Sequence, residues 1–82
     1  MRTIEWSEQA RADIRRLDRP TAIRILDGLA RFADTGHGDV KRLRVETPEF
    51  RLRVGDWRVR FAEGTGRVIR ILRVLHRSEA YR

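Results

Sequence analysis

The chain has 82 residues, no cysteine and a formal net charge of +7, so it is long enough for one domain with a modest core, spanning residues 1–82. The absence of cysteine excludes a disulfide scaffold and a thiolate metal site. No segment reaches the roughly 20 apolar residues of a membrane span, and the amino terminus lacks the apolar run of a signal peptide. We therefore expect a soluble, cytoplasmic protein without a membrane partner.

The first half of the sequence predicts a strand and two helices. Residues 2–6 alternate between apolar and polar side chains and are rich in β-formers. Ser7 is a suitable N-cap for a first helix. Pro20 is compatible with the first turn of a second helix over about 20–34, because proline is tolerated there but not inside a helix. We expect the two helices to form an antiparallel hairpin.

Beyond Gly36, which we expect just past the end of the second helix, the apolar period changes from 3.6 to 2. Gly55-Asp56 is typical of a two-residue hairpin turn. Three strands are predicted, at about 49–54, 57–63 and 67–75. The order β-α-α-β-β-β indicates an α+β domain, in which the helical hairpin packs on one face of a mainly antiparallel sheet.

The second half of the chain also carries the excess positive charge. Residues 1–40 contain seven basic and seven acidic residues, whereas residues 41–82 contain twelve basic and five acidic ones. A basic excess confined to one part of a domain is typical of a polyanion partner.

Four arginines of this half are predicted to lie on one face of the hairpin. A two-residue turn sets Arg53 opposite Arg58 and Arg51 opposite Arg60, with the apolar residues of both strands on the other face. Like charges directly opposite are unfavourable, and a bound phosphate would relieve the repulsion. We call these four residues the arginine face and interpret it as a phosphate-binding surface. The alternative is a solvated face, neutralised by Glu46, Glu49 or Glu63.

RNA offers a cleavage route that needs neither a metal nor another cofactor, since its 2′-hydroxyl can attack the adjacent phosphate. The protein then has to align the backbone, stabilise negative charge and move protons. The carboxyl-terminal residues 76–82, HRSEAYR, supply candidates. His76 is suited to protonate the leaving oxygen, Arg77 to bind a phosphate, and Tyr81 to orient the nucleophile or stack on a base. Glu46 could accept the 2′-hydroxyl proton.

FRLRVGDWR at 50–58 and the HRxxxYR ending at 76–82 make the sequence similar to the RelE/ParE superfamily of toxins from type II toxin–antitoxin systems. The resemblance covers nearly the whole chain. It implies a RelE-like fold and a ribosome-dependent endoribonuclease that cuts messenger RNA. It also implies that the basic residues of the central hairpin bind phosphates, a role that falls here on Arg51, Arg53 and Arg58.

The same resemblance assigns the terminal basic and tyrosine positions to Arg77 and Tyr81, and a glutamate base and histidine acid to Glu46 and His76. The sequence departs from certain RelE members at Leu75, where they have a further basic residue. As partners the resemblance implies the ribosome, messenger RNA and an acidic antitoxin that would carry any contact with operator DNA. Two alternatives stay open: a ParE-like inhibitor of DNA gyrase that cuts no RNA, and an inactive relative that only binds RNA or antitoxin.

Overall fold

A computed structural model describes residues 2–43 and 48–80 of the chain. The described elements are β1 (Thr3–Trp6), α1 (Glu8–Arg15), α2 (Arg19–Thr35), β2 (Asp39–Arg42), β3 (Glu49–Val54), β4 (Trp57–Glu63) and β5 (Val68–His76). The strands form one sheet in the order β1-β5-β4-β3-β2. Only β1 and β5 are parallel, so the predicted α+β fold with a mainly antiparallel sheet is confirmed.

The two helices begin and end at the residues that the sequence favours. The Ser7 hydroxyl accepts a hydrogen bond from the backbone N–H of Ala10, and the Asp18 carboxylate accepts one from Thr21. Both bonds satisfy N–H groups that have no partner inside the first turn of a helix. Gly36 ends α2 in the left-handed conformation, with φ of 77°, which glycine adopts without steric cost.

The core lies between α2 and one face of the sheet. The buried residues of α2 are Ile25, Leu29, Phe32 and Ala33, and those of the sheet are Leu52, Val59, Phe61, Ile69, Ile71 and Val74. The rings of Phe32 and Phe61 are 5.3 Å apart between centroids, which fixes α2 over the centre of the sheet. We call this side of the sheet the helix side.

The first helix packs beside β5, where β1 no longer covers the strand. β1 pairs with β5 only as far as Trp6 and Ile71. Beyond that point Ser7 donates a side-chain hydrogen bond to the carbonyl of Leu72, and the carboxylate of Asp13 accepts one from the N–H of Val74 at 2.9 Å. Side chains of the first helix and its cap thus satisfy backbone groups that an edge strand would leave open.

Three features of the fold differ from the sequence pattern. The sheet contains an additional short strand, β2, at its edge. The pairing of β4 with β5 is shifted by a bulge, because Arg60 pairs with Arg73 but Phe61 pairs with Ile71. Leu26 follows the helical period of the apolar residues of α2, yet it is 43% exposed. No helix among residues 2–43 and 48–80 has the length and apolar character needed to span a membrane.

Candidate functional site

The hairpin of β3 and β4 has the predicted register. Arg51 pairs with Arg60 and Arg53 with Arg58, across a turn at Gly55 and Asp56. Gly55 has a φ of 59°, a conformation that the turn requires and that glycine tolerates. Because Leu52 and Val59 are buried on the helix side, the alternating arginines lie on the opposite face of the sheet.

Far from the turn, the positive charge of this face is compensated by carboxylates. Arg60 forms an ion pair with Glu49. Arg73, which pairs with Arg60 across the strands, extends to α1, where its Nε lies 2.9 Å from Oδ2 of Asp13. These two guanidinium groups are thereby held in place by protein acids. This pairing of Arg60 with Glu49 is of the kind that the alternative of a neutralised, solvated face describes.

In the middle of the face, one carboxylate lies between two arginines. Asp39 of β2 is 3.9 Å from Nη1 of Arg51 and 4.0 Å from Nη1 of Arg53. The Asp39 side chain is 58% exposed, so solvent weakens both pairs. The Arg51 side chain is only 14% exposed, so its positive charge is largely shielded from solvent.

Near the turn the arginines are held by backbone carbonyls. Nη1 of Arg58 donates to the carbonyl oxygen of Gly55 at 3.0 Å and to that of Trp57 at 3.1 Å. Nε of Arg53 donates to the same Gly55 oxygen at 3.4 Å. Within residues 2–43 and 48–80, Arg58 has no carboxylate within ion-pair distance. The shared carbonyl brings two positive charges together without neutralising either of them.

Arg77 joins this end of the arginine face. Its backbone N–H donates to the carbonyl of Asp56 at 2.8 Å, which continues the pairing of β5 past the hairpin turn. Nε of Arg77 is 3.8 Å from Oδ1 of Asp56, and the side chain is 64% exposed. Arg53, Arg58 and Arg77 therefore surround the same turn, and we call these three residues the turn cluster.

Several guanidinium nitrogens of the face are buried without a hydrogen-bond acceptor among the described residues. They are Nε and Nη1 of Arg51, Nε of Arg58 and Nε of Arg60. Burial of an N–H donor without an acceptor is unfavourable, and such groups are uncommon in folded proteins. Phosphate oxygens are suitable acceptors because they match the planar fork of arginine.

His76 lies on the other side of the sheet from Arg58. It pairs with Trp57, whereas Arg58 pairs with Leu75, and cross-strand partners share a face. The imidazole contacts the indole of Trp57 edge-on, with 5.3 Å between centroids. The structure therefore brings Arg77 to the arginine face but does not bring His76 there.

Two predicted site residues, Glu46 and Tyr81, lie outside the described residues. The described ranges contain no group of three or more histidine, cysteine, aspartate or glutamate side chains that could hold a metal ion. Leu75 lies on the arginine face beside Arg58.

Sequence reasoning missed two charged residues of this region, Asp39 and Arg73. Asp39 gives no strand signal, since the four residues of β2 include only one apolar side chain, Val40. Arg73 was missed because an alternating pattern does not reveal the bulge that turns it toward Arg60. The only available signal for Arg73 was its charge within the basic half of the chain, and Asp39, in the first half, had none.

Comparisons with known proteins agree on one class of protein. Residues 4–81 match the family model of the ParE toxin of the type II toxin–antitoxin system, parDE. A search of curated proteins gives no match to the chain. The chain therefore belongs to the ParE toxin family, within the RelE/ParE superfamily.

Solved structures of RelE-type complexes share the fold. A chain of the RelBE2 toxin–antitoxin complex of Mycobacterium tuberculosis is 27% identical, with a TM-score of 0.62 and coverage of 92% of this chain and 96% of that one. A chain of the RelB–RelE complex of Methanococcus jannaschii is 21% identical, with a TM-score of 0.74 and 94% of both chains covered. A chain of the RelE–RelB complex of Pyrococcus horikoshii is 22% identical, with a TM-score of 0.75 and coverage of 96% of this chain and 98% of that one.

Proposed function

We propose that this toxin is an endoribonuclease that cleaves messenger RNA on the ribosome and that the arginine face binds the RNA phosphates. The observation that carries the proposal is the turn cluster, in which Arg53 and Arg58 hydrogen-bond to one carbonyl and Arg77 lies beside them. The guanidinium groups of Arg53 and Arg58 lie together, and Arg58 has no carboxylate partner among the described residues. In this proposal the two groups contact the same phosphate. RNA supplies such phosphates along its backbone.

The proposed reaction is a transesterification within the RNA. The 2′-oxygen attacks the adjacent phosphorus as it loses its proton, the bond from phosphorus to the 5′-oxygen breaks, and that oxygen gains a proton. The products are a 2′,3′-cyclic phosphate and a 5′-hydroxyl. Arg58 and Arg53 would stabilise the additional negative charge on the phosphate oxygens in the transition state. Arg51 and Arg77 would position the neighbouring phosphates, whereas Arg60, already paired with Glu49, would contribute less.

Proton transfer in this proposal is assigned to residues other than the arginines. Glu46 is the proposed base and Tyr81 the proposed residue that orients the nucleophile. His76 is the candidate acid that the described geometry supports least, because its ring contacts Trp57 on the helix side. The proposed partners are an acidic antitoxin, which would also provide any contact with operator DNA, and the ribosome with its messenger RNA. Support for the antitoxin comes from the relatives, whose solved structures are toxin–antitoxin complexes.

The proposal is tested by mapping 5′ ends of messenger RNA after brief expression without antitoxin. Wild type should produce new cuts at fixed positions within codons, and Arg58→Ala should produce almost none. Arg31→Ala is the matched control, since it removes the same charge from an exposed position of α2. Growth arrest without new cuts, or equal cutting by Arg58→Ala and wild type, would reject the proposed nuclease site.

A second candidate function is inhibition of DNA gyrase, which the match to the ParE family model favours. The same cultures distinguish the two functions. If the protein inhibits gyrase, DNA breaks should accumulate while the ends of messenger RNA stay unchanged. If it cleaves RNA, new messenger RNA ends should appear while the DNA stays intact.

A further inference from the structure

A pocket with a volume of about 510 Å³ lies at the opposite end of β4 from the turn cluster. Three segments of the chain form its walls: the start of the chain at Arg2, the end of α2 with Gly36, and the loop between β4 and β5. The turn cluster lies where β4 begins and the loop lies where β4 ends, so the two regions are separated by about 20 Å of strand. The chemistry of the arginine face therefore does not explain this pocket.

Arg2 contributes a guanidinium group to the wall of the pocket. Its backbone N–H donates to the carbonyl of Ala33 at 3.0 Å, which fixes the start of the chain against the end of α2. The guanidinium carbon lies 5.2 Å from the ring centroid of Phe32. Nη1 of Arg2 is buried and has no hydrogen-bond acceptor among the described residues. Burial of a charged donor is unfavourable without an acceptor, and an anion in the pocket would provide one.

Arg67, in the loop between β4 and β5, contributes a second guanidinium group. Its φ is 61°, and within residues 2–43 and 48–80 no other residue with a side chain has a positive φ. A side chain is strained in this conformation, which glycine adopts without steric cost. The conformation is held by a hydrogen bond from the N–H of Thr3 to the carbonyl of Arg67, at 2.9 Å. Strained residues are concentrated at functional sites, so an arginine at this position indicates a role for its side chain.

Two carboxylates, Asp34 and Glu63, line the same pocket. Neither they nor the two arginines take part in an ion pair among the described residues. Two guanidinium groups match the double negative charge of a phosphate monoester. The carboxylates repel a second phosphate but accept hydrogen bonds from hydroxyl groups. The lining thus favours a small ligand with one phosphate and several hydroxyl groups over a polyanion such as RNA.

We propose that this pocket binds a small sugar phosphate. Arg2 and Arg67 hold its phosphate group. Asp34 and Glu63 accept hydrogen bonds from its hydroxyl groups. The volume is in the range of small-molecule sites, which hold ligands larger than inorganic phosphate. A ligand that bridges the three segments should stabilise the folded protein increasingly as its concentration rises. The inference goes beyond the proposed function, because none of these four residues belongs to the arginine face or the turn cluster.

The test uses ribose 5-phosphate as the probe and compares it with its two halves, ribose and inorganic phosphate. Binding to the full chain is followed by two-dimensional NMR of the backbone amides and by thermal unfolding. We expect ribose 5-phosphate to shift the amide signals of residues 64–68 and to raise the unfolding temperature. Each half should bind roughly tenfold or more weakly than the whole probe, because it makes only part of the hydrogen bonds to charged groups.

Two variants each remove one guanidinium group from the pocket. Arg67→Gly preserves the fold, because glycine favours the left-handed conformation at this position. Arg2→Met keeps an unbranched side chain against Phe32. Each variant should weaken binding of ribose 5-phosphate roughly tenfold or more. Arg58→Ala is the matched control, since it removes a guanidinium group from the turn cluster and should leave the shifts at residues 64–68 unchanged.

Four results would overturn the proposal. The first is the lack of any shift at residues 64–68, including the case in which ribose 5-phosphate shifts only the signals around Gly55. The second is wild-type binding by Arg67→Gly, and the third is binding of ribose as tightly as ribose 5-phosphate. The fourth is a shift at residues 64–68 with a short RNA oligonucleotide but not with the probe, which would assign the pocket to a polyanion surface. None of them bears on RNA cleavage, which the mapping of messenger RNA ends tests separately.

Discussion

The imidazole of His76 meets the indole of Trp57 edge-on at the end of β5, with 5.3 Å between ring centroids. Nδ1 of His76 lies 3.0 Å from the hydroxyl of Ser78 and accepts a hydrogen bond from the Ser78 N–H at 3.2 Å. Both contacts hold the ring on the helix side. His76 thus has the surroundings of a residue that closes the end of a strand, and its imidazole points away from Arg58.

Replacing His76 with phenylalanine separates packing from proton transfer. His76→Phe keeps a ring against Trp57 but removes the titrating group. We expect cleavage by this variant to fall by much less than the roughly hundredfold or greater loss that removal of a general acid causes. The measurement is the cleavage rate. An acid at His76 would cause a loss of about a hundredfold or more in the variant, and that result would restore His76 to the site.

The side of the sheet on which His76 lies could not be predicted from the sequence. Strict alternation along β5 sets Ile71 and His76 on opposite faces. The bulge adds one residue, Leu72, between the partners of Phe61 and Arg60, and therefore returns Val74 and His76 to the helix side. A run with apolar residues on both faces, VIRILRVL, gives no sign of where such an insertion falls.

Arg58 and Arg60 share the arginine face and differ in their neutralisation, so they form a matched pair. We expect Arg58→Ala to weaken binding of a 2′-O-methyl RNA oligonucleotide, which cannot be cleaved, roughly tenfold or more. Arg60→Ala should have a smaller effect because Glu49 already neutralises that guanidinium. Binding is measured by fluorescence anisotropy over a range of salt concentrations.

The salt dependence identifies the contact as one with phosphate. Loss of one phosphate contact to a single strand should reduce the slope of log affinity against log salt by about 0.7. An unchanged slope for Arg58→Ala, or equal losses for the two variants, would contradict the assignment of the turn cluster.

Asp39 lies between Arg51 and Arg53 and, in the proposed function, would compete with RNA for both. Asp39→Asn keeps the shape of the side chain and removes its charge. Exposed ion pairs contribute up to about 1 kcal/mol, so we expect RNA affinity to rise by no more than about fivefold. The same anisotropy measurement detects this gain. Weaker binding by Asp39→Asn would show that the carboxylate positions the arginines instead of competing with the phosphate.

The sequence predicted the hairpin better than the sheet edge. Val54 and Trp57 flank a turn whose glycine sets the register, so every arginine pair of β3 and β4 follows from local pattern. β2 has no such signal, because Val40 becomes a strand residue only through its tertiary pairing with Leu52. Leu26 follows the helical period but is 43% exposed, because the part of α2 that is buried depends on packing and not on periodicity alone.

Asp13 links α1 to β5 through a buried carboxylate, and its protonation should affect folding. Burial raises the pKa of Asp13, but hydrogen bonds from Arg73 and the Val74 N–H, with the charges of Arg73 and Arg16, outweigh burial and hold the pKa below its ordinary value. A carboxyl with a lowered pKa in the folded state stabilises the fold above its unfolded-state pKa. That stabilisation is lost as pH falls through the folded-state pKa.

Asp13→Asn should therefore lower the free energy of unfolding by about 2 kcal/mol at pH 7, a value below that of a fully buried pair because Arg73 is partly exposed. The difference between wild type and variant should shrink as pH falls below about 4, because the carboxyl of the unfolded chain is protonated there before that of the folded protein. Urea unfolding at a series of pH values measures it, with Asp27→Asn as the control, since Asp27 is exposed on α2. A stability difference that stayed constant from pH 7 to pH 2 would show that Asp13 acts through its shape and not through its charge.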